Sequence, residues 1–160
     1  MNAIDLLTAQ HREIGELVER VEQADSPPRL RARLLELADE LAVHTAIEER
    51  NFDEEVRARR SQDILLEALE QPRGLTRLAS ELVALDVADE SFEPRLEVLE
   101  ERLRVHFEEA EAALFPKVRR IFDERELEDM GRRLELLADQ LRREVRQRRP
   151  SAPAAQSPPP

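Results

Sequence analysis

The chain has no cysteine, no tryptophan and no tyrosine, and only three of its 160 residues are glycine. Without cysteine there are no disulfides, no thiolate metal sites and no cysteine nucleophile. Five phenylalanines are the whole aromatic content, which is poor material for a β-sandwich core. The glycines form no phosphate-cradling loop, and no Gly-x-Ser-x-Gly elbow occurs. No apolar run approaches the length needed to span a bilayer, and the N-terminus carries no basic-then-apolar signal segment. A soluble cytoplasmic protein is therefore expected. Positive charge is in deficit too. The formal net charge is −11, a surface that repels phosphate backbones and anionic lipid, so neither nucleic acid nor membrane is expected as a partner. The local basic run from Arg142 to Arg149 reads as a solvated helix end, where cations suit the dipole.

What is present favours helix. Charged residues make up 38% of the chain, and Leu, Glu, Arg and Ala recur at helical spacing. The first helix is expected over residues 3–23, capped by Asn2, with Ile4, Leu7, Ile14, Val18 and Val21 on one stripe. The second follows Ser26-Pro27-Pro28, a capping serine with prolines in the first turn, and carries Leu30, Leu34, Leu37 and Leu41. A third begins near Ser61-Gln62-Asp63 and is interrupted by Pro72 and Gly74 before Leu75, Leu78, Leu82 and Leu85 resume. A fourth starts near Ser91, with Leu96, Leu99, Leu103, Phe107, Ala110, Leu114 and Phe115 inward, and Pro116 ends or bends it. Asp123-Glu124-Arg125-Glu126 has the form of a capping box and opens a fifth helix. Residues 150–160, five of them proline, are expected to be disordered. The fold class is thus all-α: one antiparallel four-helix bundle domain over residues 1–149 with a C-terminal fifth helix, then a proline-rich tail.

The three histidines, His11, His44 and His106, are the only ones in the chain. Each fills a step of an apolar stripe that a hydrophobic residue would normally occupy: 4, 7, 11, 14 in the first helix, 37, 41, 44, 48 in the second, and 99, 103, 106, 110 in the fourth. Glu48 lies one turn beyond His44, on the same face. Polar groups in a core are costly unless satisfied. Imidazoles and carboxylates converging inside a bundle are what a metal site requires. They equally suit a buried hydrogen-bonded cluster.

Three segments, in this order and spacing, resemble a hemerythrin-type, or HHE cation-binding, domain. They are Asp5-Leu6-Leu7-Thr8-Ala9-Gln10-His11, then His44-Thr45-Ala46-Ile47-Glu48-Glu49, then His106-Phe107-Glu108-Glu109 followed by Leu114-Phe115-Pro116. Glu126-Leu127-Glu128-Asp129-Met130-Gly131 is similar to the family's closing helix. The likeness runs over roughly residues 3–142. It implies non-haem iron in a helical bundle, one ion or two, with functions ranging from binding or sensing oxygen or iron to handling nitric oxide and repairing iron–sulfur clusters. By the resemblance, His11, His44, Glu48 and His106 are the metal ligands, with Glu48 a bridge. Two family positions depart: the helix 3 histidine falls near Pro72, and the helix 4 carboxylate falls on Ala110. Glu111, five residues after His106, stands as a substitute ligand, and Glu70 or Gln71 as substitutes near Pro72. The leading expectation is an iron-binding protein that senses or handles oxygen, nitric oxide or iron, with a mononuclear or weakened site. The alternative is a metal-free bundle acting as a structural or regulatory protein-interaction module. A redox enzyme is the third possibility.

Overall fold

The computed structural model describes residues 1–59 and 73–148. The expected start at Ser61, Pro72 with its neighbours Glu70 and Gln71, and the tail from residue 150 lie outside the described residues. Every element described is helical. They are α1 (Ala3–Glu22), α2 (Pro27–Ile47), α3 (Asp53–Ala58), α4 (Arg73–Ala84), α5 (Phe92–Glu109), α6 (Phe115–Ile121) and α7 (Glu124–Arg148). One turn of π-helix joins α2 to α3 over Glu48–Phe52, and another joins α5 to α6 over Ala110–Leu114. None of the described helices is long and apolar enough to cross a membrane.

Helix starts follow local chemistry. The Asn2 side chain accepts from the Asp5 N–H at 2.9 Å. The capping box at α7 is complete: Glu126 N–H donates to Asp123 Oδ1 and Asp123 N–H donates to Glu126 Oε2, each at 2.9 Å. Ser26 departs from expectation and makes no side-chain cap bond. Pro27 and Pro28 occupy the first turn, and the proline at the second position has no N–H to offer a capping hydroxyl. Pro116 does not end the fourth helix. It falls in the first turn of α6, directly after the π turn. Widening that turn relieves the clash between a proline ring and the carbonyl one turn back. The earlier π turn, at Glu48–Phe52, contains no proline and lies beside the histidines.

Contacts between chain-distant residues fix the directions. Asp5 meets Arg119 and His11 meets Glu111, so α1 runs antiparallel to α5 and α6. Arg142 pairs with Glu40 and Arg133 with Glu55, so α7 runs antiparallel to α2 and α3. The core divides into two apolar clusters along the bundle. One gathers Leu7, Ile47, Phe52, Ala110, Phe115 and Met130. The other gathers Ile14, Leu37, Leu41, Leu82, Leu99 and Leu103. Along each contributing helix the change of cluster falls on a histidine: Leu7–His11–Ile14, Leu41–His44–Ile47 and Leu103–His106–Ala110. A polar layer therefore crosses an otherwise apolar interior.

α7 closes the histidine-flanking end, and Gly131 sets how closely. A Cβ there would come within 2.5 Å of the Met1 carbonyl oxygen and 2.9 Å of the Ala3 nitrogen. Both obstacles are backbone, and neither yields cheaply. Asn2 Nδ2 also donates to Glu124 at 2.8 Å across this seam. Alanine is the better helix former by about 1 kcal/mol, yet Gly131→Ala is expected to destabilise the chain by about 1–3 kcal/mol through overpacking. Urea unfolding followed by circular dichroism measures it. A stabilised variant would contradict this packing.

Candidate metal centre

His11, His44 and Glu48 each bring a donor atom within 4.8 Å of the others, and all three are buried. α1 supplies His11, the last turn of α2 supplies His44, and the first residue of the π turn supplies Glu48. The imidazole centroids of His11 and His44 are 5.0 Å apart, with the rings edge to face. His106 of α5 sits 6.2 and 6.4 Å from them. Phe107 stacks on His11 at 4.1 Å and forms an apolar wall on that side.

Each of the two closer imidazoles is held from behind. The His11 Nδ1–H donates to Glu111 Oε1 at 2.7 Å. The His44 Nδ1–H donates to Gln10 Oε1 at 2.9 Å. With an acceptor oxygen placed at each Nδ1, the Nε2 of each ring is left with its lone pair facing inward. Both Nε2 atoms are buried and without a hydrogen-bond partner. Nε2 of His44 lies 3.4 Å from Glu48 Oε2 without bonding to it. Two unprotonated ring nitrogens and a carboxylate thus share one small buried space. Negative potential accumulates there, and a cation would relieve it. Imidazoles oriented by outer hydrogen bonds are the usual form of a prepared metal ligand.

Protonation follows from the same surroundings. Burial, reinforced by His44 and His106, pushes His11 down to about 3, so it is neutral at any ordinary pH. Burial opposes ionisation of Glu48, but hydrogen bonding from His106 outweighs it. Its carboxyl is held well below the usual range. His106 Nε2 donates to Glu48 Oε2 at 3.0 Å. Burial works against its proton, and Glu48 wins, raising His106 above its ordinary value.

The structure thus gathers His11, His44 and Glu48 and binds His106 to Glu48. Glu111 is 43% exposed and engages Nδ1 of His11. Glu108 pairs outward with Arg104, and Glu109 is exposed. Ala110 is buried and offers no donor. Two residues went unnoticed in the sequence. Gln10 is buried beside His44, and its place next to His11 was its only signal. Asp53 is 2% exposed, and its Oδ1 has no hydrogen-bond partner. Burial, with repulsion from Glu48, pushes Asp53 up to about 8.

Asp53 has a consequence for stability without bound metal. Below pH about 4 its carboxyl is protonated whether the chain is folded or not, and it costs nothing. Between pH 3.8 and about 8 the unfolded chain releases that proton while the folded chain retains it, so stability falls as pH rises. Asp53→Asn is expected to raise the stability of chelator-treated protein by about 2 kcal/mol at pH 7.5 and by little at pH 4. Denaturant melts at the two pH values would show it. An equal effect at both would contradict the assignment.

A model of the hemerythrin HHE cation-binding domain matches residues 2–118. No curated protein and no solved structure gives a significant match. The match takes in α1 through α5 and every histidine of the polar layer. With a buried His/His/Glu cluster at its centre, this chain belongs to the hemerythrin HHE cation-binding domain family.

Proposed function

We propose that the chain binds non-haem iron at His11, His44 and Glu48 and uses it to sense or handle oxygen, nitric oxide or iron itself. One observation carries the reading: two buried imidazoles, each held at Nδ1, aim partnerless Nε2 atoms at the space beside an ionised glutamate. Imidazole with carboxylate suits iron among several first-row metals. When bound, iron supplies a Lewis-acidic, redox-active centre.

The residues divide the work. His11 and His44 donate nitrogen lone pairs, and Glu48 balances cationic charge. Gln10 and Glu111 keep the rings in the tautomer that faces inward. Phe107 and Phe115, stacked near His11 at 4.1 and 5.7 Å, exclude water from one side. His106 holds a proton against Glu48 Oε2 and stabilises the carboxylate before a cation arrives. Three protein donors leave coordination positions for a small ligand, which supports sensing or handling more than storage.

Ferrous iron added anaerobically at a hundred times its dissociation constant should stabilise the fold by about 2.7 kcal/mol. In His44→Ala, iron retained after desalting should fall at least tenfold. A melting temperature unmoved by iron, or full iron content in His44→Ala, would sink the reading.

The pH dependence has a definite sign. His106 is raised above 6.5, so as pH falls its proton competes more strongly for Glu48. His11 stays neutral down to about 3 and adds no competition. Iron affinity should therefore weaken from pH 8 to pH 6, which titration at several pH values would reveal. Affinity flat across that interval would show that the His106–Glu48 bond is not broken or weakened on binding.

A further inference from the structure

Outside the polar layer, a seam of the bundle stands open. α1 packs closely on α2 and α7, and α5 packs on α4. α1 and α5 lie further apart, and a groove of about 480 Å³ opens between them. Among the described residues, only these two helices line it. From Glu97 to Glu108 it follows α5 for about 16 Å, or three turns.

The floor of the groove is apolar. Val18, Leu103 and Phe107 supply it, and Gly15 adds no side chain. Phe107 is a fixed platform, because its ring stacks on His11 at 4.1 Å. Gly15 is not required by the chain's own packing: a Cβ there would meet nothing within 4 Å. Glycine inside a helix is unfavourable beside alanine, and its bare backbone lets another element come close.

The rim is acidic, with Glu19 from α1 and Glu97 and Glu100 from α5. Arg104 is the one cation lining the groove, and Glu101 and Glu108 hold its guanidinium at 2.7 and 2.8 Å. Glu100 Oε1 is out of solvent and has no donor. Burial, with Glu22, Glu93 and Glu97 nearby, raises the Glu100 carboxyl above its ordinary value. The groove thus pairs an apolar floor with negative charge that its own residues leave uncompensated.

The chain itself shows what suits such a seam. α7 lies along α1 and α2 and buries Leu127, Met130, Leu134 and Ala138. Beside that stripe, Arg142 reaches Glu40 of α2 at 3.1 Å and Glu13 of α1 at 3.7 Å. An amphipathic helix with arginine beside its apolar stripe therefore covers one acidic seam of this bundle. We propose that the α1–α5 groove docks an arginine-bearing amphipathic helix of a partner protein, with apolar side chains on Val18 and Phe107 and arginines on Glu19, Glu97 and Glu100. This is recognition of a helix in a groove, with charge setting the choice of partner. It does not depend on bound metal.

The test uses the full chain and a fluorescein-labelled synthetic helix of about 14 residues, four turns long, with leucines along one stripe and arginines beside it. Fluorescence anisotropy is compared for the parent, Glu19→Lys/Glu97→Lys and Glu54→Lys/Glu90→Lys. The last pair changes net charge equally at exposed positions outside the groove. Saturable binding of one peptide per chain is expected, weakened about tenfold or more by the groove pair and about twofold or less by the control pair. Equal weakening by both pairs overturns the inference, because the acidic surface at large then attracts the peptide. Equal binding of a peptide with the same residues scrambled off the stripe overturns it too, since the apolar floor then plays no part. No peptide binding overturns it, and octylammonium binding alone would make the groove a small-molecule site. Sedimentation of the parent should show a monomer. A dimer broken by Glu19→Lys/Glu97→Lys would assign the groove to a second copy of the chain and overturn the proposal.

Discussion

A glutamate held ionised in the middle of a helical core is the constraint on which the rest of this structure depends. Glu48 is 2% exposed, and an isolated charge there would be prohibitive. It is tolerable because His106 donates to it. The imidazoles must in turn be placed, and each is placed by the apolar stripe it interrupts. The Leu7, Ile14, Leu41, Ile47 and Leu103 contacts that pack the bundle above and below the layer also aim the three rings inward. Stability and site geometry are thus one arrangement. The two apolar clusters fix where the polar layer falls, and that layer accounts for why the clusters are two and not one.

The partners of the imidazoles decide what the layer can do. A buried cluster that served only as polar packing would close its own hydrogen bonds. His106 and Glu48 do so, but His11 and His44 do not. Their outer nitrogens are satisfied by Glu111 and Gln10, and their inner ones have no partner. Orphaned atoms of this kind are costly in a core, and they sit next to negative charge. The proposed cation would relieve both costs. Glu111, which the resemblance offers as a substitute ligand, accepts from the His11 Nδ1–H.

Much of the bundle was legible in the sequence because its signals are local or periodic. The Asn2 cap, the Asp123–Glu126 box and the leucine stripes appear where expected. So do the three histidines on the inward stripes, since a 3.6-residue period decides facing without knowledge of neighbours. The π turns were not legible. One extra residue in a turn shifts the register of everything after it, and no residue at Glu48–Phe52 announces it. Counted on a regular helix, Asp53 lies off the face of His44 and Glu48, so the period gives it no role. Gln10 is illegible for another reason. Its role depends on α1 meeting α2, which is a tertiary fact. Ser26 differs the other way: it makes no cap bond, and Pro28 removes one of the two N–H groups a capping hydroxyl could accept from.

The most direct test of the central claim, that the polar layer ligates metal, is X-ray absorption at the iron edge of protein loaded with one equivalent of ferrous iron. Scattering characteristic of two imidazoles, lost in the His11→Ala/His44→Ala double variant, is the expected outcome. An oxygen-only environment, or a spectrum identical in the double variant, would show that iron binds elsewhere and that the layer is a hydrogen-bonded core and nothing more.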